Sequence, residues 1–160
     1  MSENILVAVA WPYANSEIHV GNLAGAYLPA DIFARYHRLK GNRVLMVSGT
    51  DSHGTPVTVR ADAEGVPPLE VYRRFHSGFI ELFQKLGLAY DIFTSTHTSN
   101  HFQVSQNMFL ALKQNGFLNP KTQPQWYSPA LKRFLPDRYV EGTCYICGYE
   151  SARSDQCDKC

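Results

Sequence analysis

The apolar positions change period several times along the first two thirds of the chain. Residues 5–10 (Ile-Leu-Val-Ala-Val-Ala) form a short unbroken apolar run, which reads as a strand buried on both faces, as in a parallel sheet. Pro12 ends it. After a polar turn, His19-Val-Gly-Asn22 opens a segment in which Leu23, Ala26, Tyr27, Ala30, Phe33 and Ala34 recur at helical spacing as far as Lys40, with Gly41 as the stop. Arg35, Arg38 and Lys40 read as a solvated helix end, where cations suit the dipole. Residues 43–48 form a second apolar run, so strand, helix and strand make a βαβ unit with parallel strands. Thr55 to Glu64 predicts a short helix closed by Gly65, and Pro67-Pro68 a turn. Leu69, Tyr72, Phe75, Phe79, Leu82 and Leu86 then give the buried stripe of a longer helix. Residues 90–93 predict a third strand and 96–115 another helix, with Phe102, Phe109 and Leu112 on one face. The expected class for residues 1–116 is therefore α/β, the first half of a doubly wound, Rossmann-like parallel sheet.

The pattern breaks at Phe117. Prolines and aromatics crowd residues 119–139 with little helical period, and 125–128 and 138–140 read as short strands of a small β-rich module occupying 117–160. All four cysteines lie in this module, as Cys144-Tyr-Ile-Cys147 and Cys157-Asp-Lys-Cys160 with nine residues between the pairs. Each pair sets two thiolates on one tight turn, with Gly142 and Gly148 easing the turns, and two such turns complete a tetrahedron around Zn²⁺. Four thiolates leave no open position for water, so the expected site is structural. Two disulfides and a redox pair are the alternatives; neither pair lies in a strand-to-helix turn, and a reducing compartment favours the metal.

Composition narrows the class. With 160 residues, 44% of them hydrophobic, the chain suits one ordinary domain or one domain plus an appendage. A net charge of +1 provides no overall field for nucleic acid, so an RNA partner would need a local patch or a further domain. No basic segment followed by an apolar core opens the chain, and no apolar run reaches the ~20 residues of a membrane helix. The cytosol is the expected place.

Ligands on sheets of this kind sit beyond the carboxyl ends of the strands. Two polar segments converge there, residues 13–22 and Gly49-Thr-Asp-Ser-His-Gly54. A helix start has free N–H groups and a dipole that favours anions. His19 and Asn22 fall on one face of the first turn and can donate to phosphate, although both are also ordinary caps. Gly21 leaves room for a flat ligand. By position alone, Asp51 reads as the cap of the helix beginning at Thr55-Pro56. His53 reads as a structural hydrogen-bonder, and His97 and His101 as polar decoration of a helix start rather than a metal pair.

Ala10-Trp-Pro-Tyr-Ala-Asn15 with Ile18-His-Val-Gly-Asn22 resembles the first signature of the class I aminoacyl-tRNA synthetases, in particular those for methionine. Asp51-Ser-His-Gly-Thr-Pro56 matches their Asp-x-His-Gly-x-Pro segment, and Phe134-Leu-Pro-Asp-Arg138 with Gly142-Thr-Cys144 resembles their connective insertion with its cysteine knuckle. The resemblance covers essentially the whole chain. It implies an enzyme that activates methionine with ATP and Mg²⁺ to methionyl adenylate and transfers it to tRNA. It implies that Tyr13, Asn15, His19, Gly21 and Asn22 serve ATP, with His19 and Asn22 at the phosphates during the reaction and Gly21 at adenine. Trp11, Tyr13 and Asp51 would serve methionine, Asp51 taking the α-ammonium, while Cys144, Cys147, Cys157 and Cys160 hold zinc. Two positions depart from the family pattern: Asn22 stands where His is usual and carries no charge, and Trp11 stands where Leu is common. Nothing matches the second, Lys-rich signature, so the expectation is an N-terminal fragment that does not complete catalysis and leaves a sheet edge unpaired. Two other readings remain at this point: a class I synthetase for another aliphatic amino acid, and a noncatalytic zinc-bearing nucleic-acid module.

Overall fold

A computed structural model describes residues 2–122, 124–154 and 157–160. The chain forms two compact units, Met1–Ser105 and Gln106–Cys160. The first is built on a three-stranded parallel sheet in the order β1-β2-β3, with β1 Asn4–Ala8, β2 Arg43–Thr50 and β3 Ile92–Ser95. Val7 lies opposite Met46, and Gly49 opposite Thr94. Between β1 and β2 runs a continuous helical stretch: α1 Val20–Asn22, a π-helical turn Leu23–Tyr27, and α2 Leu28–Leu39. Between β2 and β3 lie α3 Thr55–Glu64 and α4 Pro68–Lys85. The Rossmann-like expectation holds, with α3 closed by Gly65 in the left-handed region at φ +67. No helix of the described residues is long and apolar enough to cross a membrane.

The core lies against one face of the sheet. Met46, Tyr27, Ala34, Val57, Val71, Phe75, Phe79 and Phe83 form a single buried cluster with Val7 and Val44 packed on it. On the opposite face, Leu6, Leu45 and Ile92 are 64%, 45% and 50% exposed. The apolar run of β1 is thus covered on one face, not both. A continuous run registers the apolar content of a strand, whereas cover depends on which helices fold back. In α4 the buried seam is Val71, Phe75, Phe79, Phe83, an i, i+4 row. The expected stripe shared Phe75 and Phe79 with it, while Leu69 and Leu86 are exposed. Phe33 is likewise exposed, and the buried residues of α2 are Asp31 and Ala34.

Arg35 and Arg38 are clamps, not a solvated helix end. Arg35 Nε donates to Asp31 Oδ2 (2.6 Å), and a second guanidinium nitrogen donates to Gly87 O. Asp31 Oδ1 accepts from Ala89 N (2.7 Å). Arg38 donates to Ala89 O (3.3 Å) and Asp91 Oδ2 (2.7 Å), and that carboxylate also accepts from Met46 N (2.6 Å). Two ion pairs therefore pin the segment entering β3 to α2 and β2. The Asp31 side chain is 8% exposed. Asp31→Ala strands a backbone N–H and half of an ion pair, and should lower the unfolding free energy by about 2–3 kcal/mol in urea denaturation. A loss within ~0.5 kcal/mol, the range of ordinary surface changes, would show that the clamp is dispensable.

In the second unit, α5 (Ser99–Gln114) enters from the first and is followed by two antiparallel ribbons, β4 Tyr127–Ser128 with β5 Arg133–Phe134, and β6 Glu141–Gly142 with β7 Ala152–Arg153. Residues 138–140, expected as a strand, lie in and beside a 3₁₀ turn, Asp137–Tyr139, entered through Pro136. Gly142 pairs with Ala152 as part of β6, so it eases no turn; Gly148, at φ +72, does.

Candidate functional site

The polar edge of the sheet is built by continuing the β1–β2 pairing past the strands. Asp51 N donates to Pro12 O (2.9 Å) and Ala14 N donates to Asp51 O (3.1 Å), so Tyr13 and Asp51 form a parallel bridge. Ala14, fully buried, anchors this segment in the core. Trp11 and Tyr13 stay 39% and 45% exposed. The Trp11 ring lies on Gly49 and the Tyr13 ring on Gly54, glycines whose purpose the chain pattern did not reveal. Asp51 does not cap α3: the N-cap is Gly54, without a side-chain cap bond. One Asp51 oxygen accepts from His53 N (3.3 Å), a local turn bond that leaves its second oxygen free of any bond within the turn.

At the helix start, His19 and Asn22 cap each other. His19 Nδ1 accepts from Asn22 N (3.2 Å), and Asn22 Oδ1 accepts from His19 N (3.2 Å). Capping and ligand binding are not exclusive here. An Nδ1 that accepts is unprotonated, so the proton of a neutral ring sits on Nε2, and Asn22 retains both amide protons. Both side chains are exposed, leaving His19 Nε2 and Asn22 Nδ2 as two donors at a helix N-terminus. Gly21 serves the His19 ring as well as any ligand, because a Cβ there would stand 3.0 Å from His19 Cε1 and Nδ1. Asn15 N donates to Tyr13 O (2.9 Å), which tightens the turn after the bridge.

Behind the strand ends lies a polar and aromatic layer that periodicity alone did not assemble. Thr50 Oγ1 bonds His76 Nδ1 (2.8 Å), Tyr72 OH bonds Ser95 Oγ (2.9 Å), His97 N donates to Ser95 Oγ (3.1 Å), and Ser52 N donates to Thr96 Oγ1 (2.8 Å). His97 packs on His53 and Tyr72, with ring centroids 5.3 and 5.2 Å apart, and both histidines meet Phe102. His97 is thus exposed, as decoration of a helix start would be, and also part of a ring cluster. Burial lowers the His76 pKa below its ordinary value, so this ring is neutral at pH 7. A signal for the layer did exist: Tyr72 and His76 stand at i, i+4 on α4, one position along from the apolar seam.

In the second unit the four cysteine sulfurs lie within 4.8 Å of one another. Cys144 Sγ is 3.7 Å from Cys160 Sγ, and Cys147 Sγ is 3.6 Å from Cys157 Sγ. A tetrahedron with Zn–S bonds of ~2.3 Å has sulfur–sulfur edges of ~3.8 Å, so the donor set fits zinc in both kind and spacing. The first knuckle is closed by Cys144 N to Tyr149 O (2.8 Å) and Gly148 N to Cys144 O (2.9 Å). In the second, Lys159 N donates to Cys157 Sγ (3.4 Å). The backbone N–H groups of Cys147 and Ile146 pull the Cys144 thiol down to about 6, and hydrogen bonds that the Cys160 thiol donates to the other sulfurs push it up to about 12.

Comparison with known proteins agrees with this geometry. The family described as tRNA synthetases class I (M) matches residues 5–160. The methionine–tRNA ligases of Thermomicrobium roseum and Roseiflexus sp. (strain RS-1) are 59% and 61% identical over the whole chain, which spans 27% of each. The Mycobacterium tuberculosis methionyl-tRNA synthetase, solved in complex with methionyl-adenylate, superposes with a TM-score of 0.73 at 28% identity over 96% of this chain and 31% of that one. The chain thus covers about a quarter of the length of these curated relatives.

Proposed function

We infer, for a chain that belongs to the class I tRNA synthetases through residues 5–160, that it works as part of a cytoplasmic methionine–tRNA ligase. The observation that carries the reading is the match of the entire chain, at about three residues in five, to ligases of that name. The geometry supports it. In the reaction a methionine carboxylate oxygen attacks the ATP α-phosphorus, the bond to the β-phosphate bridge breaks, and pyrophosphate leaves with its electron pair. The methionyl group then passes from AMP to tRNA. The substrate supplies the nucleophile, so the chain contributes position and charge. His19 Nε2–H and Asn22 Nδ2–H donate to the phosphates, Gly21 lies at adenine, and Asn15 borders the ATP site with Tyr13. Asn22 donates without adding positive charge. Asp51 receives the methionine ammonium on its second oxygen, and Tyr13 and Trp11 wall the amino-acid pocket. The four cysteines hold Zn²⁺, which supplies only a structural cross-link because no ligand position stays open. Mg²⁺ enters with ATP. A Lys-rich loop for the triphosphate is not among these residues, so we assign the complete reaction, and the tRNA contacts, to the complete enzyme.

The test is amino-acid-dependent ATP–pyrophosphate exchange by the complete enzyme with each amino acid in turn. Exchange with methionine alone is the expected result. Exchange with another aliphatic amino acid would keep the class and overturn the pocket assignment. Silence with all of them, with salt-dependent RNA affinity retained, would point to a noncatalytic module.

A further inference from the structure

The two aromatic rings of the amino-acid pocket both rest on glycine. A Cβ on Gly54 would overlap Tyr13 Cε1 and stand 2.7 Å from Tyr13 Cδ1, closer than real Cβ atoms come to any neighbour. The Gly54 backbone, at φ −71 and ψ 150, lies in a region open to every residue. Conformational freedom is therefore not what requires glycine at this position; the Tyr13 ring is. We propose that Gly54 is a positioning residue for amino-acid binding, its missing side chain forming the seat that holds the Tyr13 phenol in the pocket wall. This rests on the reading of Tyr13 as part of the methionine pocket.

What would give way under an added methyl group follows from the surroundings. The Tyr13 backbone is held by the Pro12 O and Ala14 N hydrogen bonds to Asp51. Gly54 is held as the N-cap of α3, where its carbonyl accepts from Val57 N (3.0 Å). The Tyr13 ring, 45% exposed, has open solvent beside it. The ring swings out while both backbones stay. Gly49 under Trp11 differs, since a Cβ there would also stand 2.8 Å from Thr94 O on the neighbouring strand and would strain the sheet itself. At Gly54 the severe overlaps are with the ring, and the one further close approach, 3.2 Å to Pro56 Cδ, is to a side chain within the same turn rather than to a neighbouring strand.

The experiment is methionine-dependent pyrophosphate exchange by the complete enzyme with Gly54→Ala, Tyr13→Ala and the double variant. The expected result is a KM for methionine raised at least about tenfold in Gly54→Ala, with a smaller rise in the KM for ATP, whose site Tyr13 only borders. The double variant should be no worse than Tyr13→Ala alone, because once the ring is gone the methyl group has nothing to displace. A wild-type KM for methionine in Gly54→Ala, or losses that add in the double variant, would overturn the proposal. Should the wild type give no exchange with methionine, the functional reading fails, and the seat is then judged by NMR on the 160-residue chain. Gly54 Hα resonances shifted by the Tyr13 ring current, and released by Tyr13→Ala, would uphold the seat; unshifted resonances would refute it.

Discussion

Cys144→Ser should abolish metal binding by the four-cysteine cluster and unfold the second unit while leaving the sheet unit folded. Among the described residues of Gln106–Cys160, the buried apolar side chains are Cys144 and Ala152. Each strand of this unit is two residues long. Trp126, Phe134 and Tyr145 are 63%, 61% and 89% exposed. So little burial cannot offset the chain entropy of ordering the unit, and a cross-link must supply the difference. Structural zinc contributes an apparent ~10–16 kcal/mol in small zinc-binding peptides, several times what this core offers. Cys144 is also the most enclosed ligand, and its N–H and C=O both close the first knuckle. The measurements are metal content after competition with a chelator, quenching of Trp126 emission, and helical circular dichroism. Zinc should go and the access of a soluble quencher to Trp126 should rise, while the signal of α2, α3 and α4 stays. A variant that keeps its zinc would remove the four-thiolate assignment.

The second large effect separates two jobs of one side chain. His19→Asp keeps an acceptor for Asn22 N, and aspartate is among the preferred N-caps. It removes the Nε2–H donor and sets a negative charge beside the phosphates. Its unfolding midpoint should match the wild type, while the rate of adenylate formation falls by about 10²–10³-fold, the usual cost of losing one preorganised donor. The KM for methionine should stay near the wild-type value. His19→Ala should lose the same rate and, in addition, about 0.5–2 kcal/mol of stability from the missing cap. A near-normal rate in His19→Asp, or parallel losses in rate and methionine affinity, would refute the phosphate role and leave His19 as a cap alone.

Much of this was legible along the chain because the signals are local. An apolar run, a helical period, a glycine stop and two Cys-x-x-Cys turns each depend on residues within a few positions of one another, so the three strands, the helices between them and the cysteine knuckle could be read directly. The pairing of Tyr13 with Asp51 was anticipated only as convergence at a sheet edge, and the mutual capping of His19 and Asn22 stood as an alternative to ligand binding when it is compatible with it.

What tertiary structure alone decided are relations between distant positions. The same apolar strand can be covered on one face or two, and only the docking of α2 and α4 on one side left Leu6, Leu45 and Ile92 open. Arg35 and Arg38 look like any cations at a helix end until the loop before β3 brings Gly87, Ala89 and Asp91 to them. Gly49 and Gly54 look like loop glycines until Trp11 and Tyr13 lie on them. The chain by itself determined which groups this protein has and what its segments become, since those follow from bonds and short-range sterics. Which groups meet was decided by packing, because residues about forty to fifty positions apart share a surface only after the sheet has formed.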